Sequence, residues 1–223
     1  EKDLEECAEA RWLAKPVLDS RALPLDSDNV RLQGPGVMSF EKKHTISGKG
    51  SIRLDVPTDG CRRHPSNRAF SVTTMMRLLP GENLERFNRI SLWIYVDSPA
   101  IANNFMELSI HNQGKHIMPL PGRFEGTHTL GIPHGEWQHV VWEFPYVYRD
   151  FVTGISLAIH AHRTPVPAPQ GITVYVDNMC LEQVEADHYK GFDLRAGAIA
   201  YCHSGYRPEA VKQAYAQSGS GVF

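Results

Sequence analysis

Histidine is the side chain with the widest chemical range in this sequence, and the chain has 11 of them. His160 and His162 stand two residues apart in a strand-like run, so both imidazoles are expected on one face of that strand. With His111 and the carboxylate of Glu107 as further donors, this pair offers nitrogen and oxygen ligands for a metal such as zinc. A metal-dependent enzyme is therefore one hypothesis, and polar residues on the outer face of a sheet are the plainer interpretation.

Aromatic residues are the second group whose positions indicate a chemistry. Trp93 and Tyr95 share one strand face, Trp142 is expected at the edge of the fold, and Trp137 is expected in the core. Sugar rings stack on aromatic faces while their hydroxyls bond to polar side chains. The sequence therefore predicts a carbohydrate-binding surface made of Trp93, Tyr95, Glu107, His111, Trp142, His160 and His162.

Short apolar runs separated by Gly, Pro, Asn and Asp dominate the chain after Val30, and they predict many strands. Between Ile90 and Val96, aliphatic residues alternate with Ser91, Trp93 and Tyr95, as in a half-buried strand. No helical segments alternate with the strands, so an all-β antiparallel jelly-roll sandwich of eight to ten strands is predicted. The clearest runs are Gly50–Val56, Phe70–Leu79, Arg89–Val96, Phe105–His111, Trp137–Phe144, Gly154–His160 and Ile172–Leu181.

Changes in composition divide the chain into four parts. Residues 1–16 are predicted as a short N-terminal helical lead-in, 17–185 as the sandwich, 186–196 as a linker and 197–223 as the start of a second β domain. Ile199–Tyr201 and Lys212–Ala216 alternate like strands, but this part is too short to close its own core. We expect it to pair with another polypeptide segment.

Bulk properties exclude several classes of partner. A net charge of −2 and a pI near 6.6 give no electrostatic basis for binding nucleic acid, and no apolar run reaches the length of a membrane span. The chain begins with Glu1 and shows no signal peptide, as expected of a mature or trimmed product. No two of the four cysteines form a CxxC pair: they stand at Cys7, Cys61, Cys180 and Cys202. Cys180 is expected to be a buried thiol, and the sequence leaves the disulfide pairing open.

Three short motifs in order carry a first resemblance. They are the run Ser47–Leu54, the Gly-x-Trp run Gly135–Val140 and the strand end Tyr175–Met179. Together they resemble carbohydrate-binding modules with a galactose-binding-like jelly roll. The resemblance implies one structural Ca²⁺ between an early loop and the last strand, held by Glu41, the backbone carbonyls of the Ser47–Lys49 turn and Asp177. Calcium prefers such hard oxygen ligands.

A second resemblance lies in the last part of the chain. Ile199–Pro208, with Gly205–Tyr206–Arg207–Pro208 at its end, is followed by Lys212, Ala214 and a final Phe223. This spacing resembles the start of the immunoglobulin-like domain that precedes the catalytic module of family 9 glycoside hydrolases. The resemblance implies that the catalytic remainder of the same polypeptide is the enzyme, and that the protein is secreted, periplasmic or on the cell surface.

No catalytic residue is assigned within this chain. Glycoside hydrolysis needs two carboxyl groups about 5–9 Å apart, and none of the available acids stands in a recognisable pair: Glu41, Glu107, Glu125, Glu136, Asp150 and Asp177. The leading hypothesis is a non-catalytic carbohydrate-binding or scaffold domain of a larger polysaccharide-degrading hydrolase, with a polysaccharide or oligosaccharide as partner. The alternatives are a metal-dependent carbohydrate-active enzyme using the histidines and a cell-surface protein-binding sandwich.

Overall fold

The computed structural model describes residues 12–57, 62–63, 69–98, 105–114, 127–144, 147–162, 171–186, 199–201 and 214–216. For 62–63, 69–71, 105, 127–130, 161–162, 199–201 and 214–216 it describes the backbone alone. The chain divides into two compact units, Glu1–Glu185 and Ala186–Phe223.

The described part of the first unit is an antiparallel β-sandwich, which confirms the predicted all-β class. Its strands are β1 (Asp19–Ala22), β2 (Val30–Gln33), β3 (Val37–Glu41), β4 (Ser51–Val56), β5 (Arg62–Arg63), β6 (Ala69–Glu82), β7 (Arg89–Asp97), β8 (Phe105–Asn112), β9 (Thr127–Leu130), β10 (Trp137–Glu143), β11 (Val152–His162) and β12 (Ile172–Gln183).

Two six-stranded sheets divide these strands between them. The first sheet has the order β10-β7-β12-β4-β3, with β1 paired to the end of β12 beyond β4. The second sheet has the order β2-β6-β11-β8-β9, with β5 paired to the start of β6. All of these pairings are antiparallel.

The core lies between the sheets and takes one face of every long strand. In the first sheet Leu92 of β7 pairs with Val140 of β10, and in the second sheet Leu157 of β11 pairs with Leu108 of β8. These side chains are almost completely buried. Because strand side chains alternate, the residues between them lie on the outer faces, where any binding surface must be built.

The helix predicted over residues 1–16 is not seen as an element in the described part, which begins only at Trp12. There Trp12 and Leu13 are helical, and the Lys15 N–H donates to the Trp12 carbonyl (3.2 Å). The remaining residues of that segment lie outside the described ones. Trp12 packs into the core cluster, so the turn is held by burial of its indole.

The described part of the second unit is one pair of strands. Strand β13 (Ile199–Tyr201) pairs antiparallel with β14 (Ala214–Ala216), and the two form a sheet of their own. The linker beyond Ala186 and the motif Gly205–Pro208 lie outside the described residues.

Cys180 is a free thiol in β12, half-buried, and burial raises its pKa. Cys7, Cys61 and Cys202 lie outside the described residues. No helix in the part of the chain that the structure covers is long and apolar enough to span a membrane.

Candidate functional site

Aromatic side chains form a row across the outer face of the first sheet. The strand register places Trp137 of β10 beside Tyr95 of β7, and Tyr95 beside Tyr175 of β12. Arg53 of β4 follows Tyr175, with its guanidinium carbon 5.8 Å from the centre of the Tyr175 ring. Three neighbouring strands therefore present rings side by side on a face that would otherwise meet water.

The 42–50 loop, which joins β3 to β4, covers this row. Its His44 ring centre lies 4.3 Å from those of Tyr95 and Tyr175 and 5.2 Å from that of Trp137, on which it stacks. The four rings, called here the aromatic cluster, therefore pack against one another. A ring that binds sugar needs a free face, so this packing makes the aromatic cluster a small second core.

Trp93 lies one rung further along the same outer face. The imidazole of His139 stacks on its indole with ring centres 4.7 Å apart and planes 10° apart. One face of Trp93 is therefore covered, and Tyr95 is part of the aromatic cluster. Both predicted sugar-stacking residues lie on the outer face of the first sheet, as the alternation indicated, but both pack against other rings.

Asp177 of β12 holds the 42–50 loop on the sheet. Its Oδ2 accepts hydrogen bonds from the Thr45 hydroxyl (2.6 Å) and from the backbone N–H groups of Ile46 (2.8 Å) and Ser47 (2.9 Å), and its Oδ1 accepts from the Ser47 hydroxyl (2.9 Å). Burial acts to raise the pKa of the Asp177 carboxyl, but the bonds from Ser47, Thr45 and Ile46 outweigh it and hold that pKa below its usual value. The carboxylate is therefore ionised and fully engaged.

The four residues of the predicted calcium site do not fit a calcium ion in this arrangement. Both oxygens of Asp177 face N–H and O–H donors, and Glu41 Oε1 accepts a hydrogen bond from the backbone N–H of Lys43 (2.6 Å). The backbone N–H of Lys49 donates to the Ser47 hydroxyl oxygen. Calcium needs six to eight oxygen ligands, and the carboxylates of Asp177 and Glu41 already accept hydrogen bonds from N–H and O–H donors of the loop.

The outer face of the second sheet carries the predicted polar residues. Along β11, Gly154, Ser156, Ala158 and His160 face outward, since Ile155, Leu157 and Ile159 between them are completely buried in the core. Register across the sheet gives four rungs: Leu78–Gly154–His111, Met76–Ser156–Ser109, Thr74–Ala158–Glu107 and Val72–His160–Phe105.

The outward-facing side chains of β11, the middle strand of this face, are small, and those of the flanking strands are larger. Gly154, Ser156 and Ala158 form the floor of a shallow trough between β6 and β8. The walls lean over this floor: His111 Nε2 lies 2.8 Å from Ser156 Oγ, and the Met76 side chain packs against Gly154. Ser156 and Ala158 are at most 9% exposed, whereas Glu107, Ser109 and Thr74 are half-buried on the walls. We call this feature the β11 trough.

The protonation of His111 gives a testable pH dependence. Burial lowers the pKa of His111, so the unfolded chain takes up a proton at this position at a higher pH than the folded chain does. Stability is therefore lost as the pH falls from the ordinary histidine pKa of about 6.5 toward the lower folded value.

We expect the urea concentration at the midpoint of unfolding to be lower at about pH 5.5 than at about pH 7.5. His111→Gln should reduce that difference. A His111→Gln variant whose midpoint follows the same pH profile as the parent chain would contradict this.

The structure separates the seven predicted sugar-binding residues. Trp93 and Tyr95 lie on the first sheet, whereas Glu107, His111 and His160 lie on the second, and the side chain of His162 lies outside the described ones. Trp142 requires a correction: it is 5% exposed and packs edge-on against Phe144, because its register with Ile90 turns it into the core. Trp137, expected in the core, lies in the aromatic cluster.

The predicted histidine cluster is spread along the β11 trough. His111 and His160 lie three rungs apart, about 20 Å along the strand at ~3.3 Å per residue. Among the described side chains, no three His, Cys, Asp or Glu residues are grouped so that they could hold a metal ion. The trough residues that sequence reasoning missed are Thr74, Met76, Ser156 and Ala158, and the alternation of small residues in β11 was the available signal.

Comparison with known proteins gives structural neighbours only. No family model matches the chain, and no curated protein matches it. Similar solved structures include the family 11 carbohydrate-binding module of the cellulosomal cellulase Lic26A-Cel5E of Clostridium thermocellum, with 15% identity over 78% of this chain and 98% of that chain and a TM-score of 0.43. The family 30 module of the cellulase Cel9D-Cel44B of the same organism has 12% identity over 76% and 100%, with a TM-score of 0.46. An exo-β-agarase has 14% identity over 74% and 24%, with a TM-score of 0.46.

Proposed function

We propose that this chain is the non-catalytic carbohydrate-binding part of a larger secreted glycoside hydrolase, and that one polysaccharide chain lies along the β11 trough. The observation that carries the proposal is the line of small residues Gly154, Ser156 and Ala158 between two walls of hydrogen-bonding side chains. Such a surface is long and narrow, and it runs along the direction of β11.

The dimensions and chemistry of the trough suit a sugar chain. From Gly154 to His160 the floor runs about 20 Å at ~3.3 Å per residue, which is room for several sugar rings in line. The methyl group of Ala158 and the thioether of Met76 give apolar contact for the C–H faces of the rings. The carboxylate of Glu107 and the hydroxyl of Ser109 give partners for the hydroxyl groups at the ring edges.

The parent enzyme is proposed from the sequence of the second unit. The resemblance of Ile199–Pro208 to the domain that precedes family 9 catalytic modules supports a catalytic remainder on the same polypeptide. A secreted or cell-surface location is part of this proposal because the substrate is an extracellular polymer. The absence of any paired-carboxylate motif in this sequence supports a chain that binds glycan without cleaving it.

The direct test is isothermal titration calorimetry of the purified chain against soluble β-glucans, xylans, mannans and galactans. We expect Glu107→Gln to lower the affinity for the bound polysaccharide about tenfold or more, because a hydrogen bond to a charged group contributes ~1.5–3 kcal/mol and ~1.4 kcal/mol is a factor of ten. The control is Trp93→Phe on the first sheet, which we expect to bind as the parent chain does.

Two results would overturn the proposal. One is the absence of binding to every polysaccharide tested by a chain that is folded by circular dichroism. The other is a Trp93→Phe variant that loses affinity while Glu107→Gln retains it, which would move the site to the opposite face of the sandwich.

A further inference from the structure

The 42–50 loop is positively charged and tightly folded. It contains Lys42, Lys43 and Lys49, and it ends at Gly50, whose φ of +122° is open to glycine but rare for other residues. A Cβ atom at Gly50 would collide with the ring of Phe40. Glycine at this position therefore lets the loop close against Phe40, and residues 42–50 hold three lysines and no acidic residue.

Alternation along β12 places Asp177 on the outer face of the first sheet with Tyr175, since Val174 and Val176 are buried in the core. The pairing of β12 with β7 shifts register just after it, between Asp177 and Cys180, and Asn178 adopts a left-handed φ of 51°. Asn is one of the few residues that tolerate such a φ. The Asp177 residue is 3% exposed, so its charge is compensated within the protein.

The groups around Asp177 compensate a negative charge and leave no place for a positive one. Two backbone N–H groups and two hydroxyls donate to the carboxylate. Successive N–H groups of a turn, here those of Ile46 and Ser47, form an anion-binding concavity. A cation placed there would face the positive ends of these N–H dipoles.

We propose that the 42–50 loop is fastened by Asp177 as an internal anion, without a metal ion, and that this fastening holds His44 in the aromatic cluster. Hydrogen-bond donors of the loop thus occupy the position at which the sequence resemblance implies a calcium ion. The domain's stability then does not depend on calcium. The carboxylate of Asp177 alone holds the loop over the outer face of the first sheet. This proposal is independent of the β11 trough.

Thermal unfolding with calcium chloride or with EDTA tests the proposal. We expect the parent chain to melt at the same temperature in both, because a bound ion would raise the melting temperature by mass action. Asp177→Asn keeps the side-chain shape but turns an amide NH2 toward donors. We expect it to lower the melting temperature by about 5–10 °C in both buffers and to weaken the near-ultraviolet circular dichroism of the aromatic cluster.

Two further variants keep the test decisive. Thr45→Val removes a single hydrogen bond to Asp177 and is expected to produce a smaller shift of the same kind, also independent of calcium. Asp55→Asn is the matched control, because this carboxylate lies on the same face, is paired with Arg53 and is 40% exposed. We expect it to change the melting temperature by less than about 2 °C.

The outcomes separate the two arrangements. Stabilisation of the parent chain by calcium that Asp177→Asn abolishes would establish an ion site and overturn the proposal. An Asp177→Asn variant that melts with the parent chain, with an unchanged aromatic spectrum, would show that the carboxylate fastens nothing.

Discussion

Replacing Glu182 with alanine is expected to destabilise the sandwich by about 3–5 kcal/mol, the cost of leaving a buried charge without its partner. The Glu182 carboxylate accepts hydrogen bonds from Arg89 Nε (2.6 Å) and from the Ser91 hydroxyl (2.6 Å). Arg89 is 3% exposed and also donates to the Trp12 carbonyl (2.5 Å). Without Glu182, the buried Arg89 guanidinium keeps its charge but loses the carboxylate that accepts from it.

Urea unfolding measures this effect, and a double variant distinguishes its cause. Arg89→Met combined with Glu182→Leu removes both charges and should recover most of the stability that Glu182→Ala loses, since buried pairs are often replaceable by apolar residues. A double variant as unstable as Glu182→Ala would indicate that packing, not charge, determines the loss. A single variant within about 0.5 kcal/mol of the parent chain would contradict the described burial of the pair.

The alternation of apolar residues was enough to predict the long strands and their inward faces. Leu92 and Ile94 face the core and Trp93 and Tyr95 face outward, as the pattern indicated. Strand β3 was missed because Val37 and Phe40 are exposed, and a short edge strand does not need an alternating pattern to pair. Pairing with β4 therefore decides this element, and that pairing is a tertiary property.

Alternation gives the face of a residue but not the sheet in which its strand lies. Trp93 in β7 and His160 in β11 both face outward, and nothing in their local sequence shows that these strands belong to different sheets. The same limit explains why Trp142 was expected at the edge of the fold and Trp137 in the core, whereas the structure has Trp142 in the core and Trp137 on the outer face. They are five positions apart in one strand, so they had to face opposite ways. The outer face, however, carries a second apolar layer because the 42–50 loop folds onto it. That layer is held through Asp177, which is more than 120 residues from the loop along the chain.

Filling the β11 trough is the strongest test of the function proposed for it. Ala158→Leu would place an isobutyl group on the floor, at the rung between Thr74 and Glu107. A bound chain would have to leave its contact with the floor, so we expect polysaccharide affinity to fall about a hundredfold or more, equal to ~2.8 kcal/mol. Leu157 and Ile159 face the core, so the added group does not enter it. Ala158 is only 9% exposed, however, so the larger side chain must displace its neighbours, and we expect a loss of about 1–3 kcal/mol of stability in a variant that still folds.

The matched control is Ala22→Leu, the same change at an exposed position of β1 in the first sheet. Calorimetry of both variants with the polysaccharide bound by the parent chain should show loss for Ala158→Leu and full affinity for Ala22→Leu. If a folded Ala158→Leu chain binds as tightly as the parent, the polysaccharide does not touch the floor of the trough. The binding surface would then have to be sought outside the β11 trough.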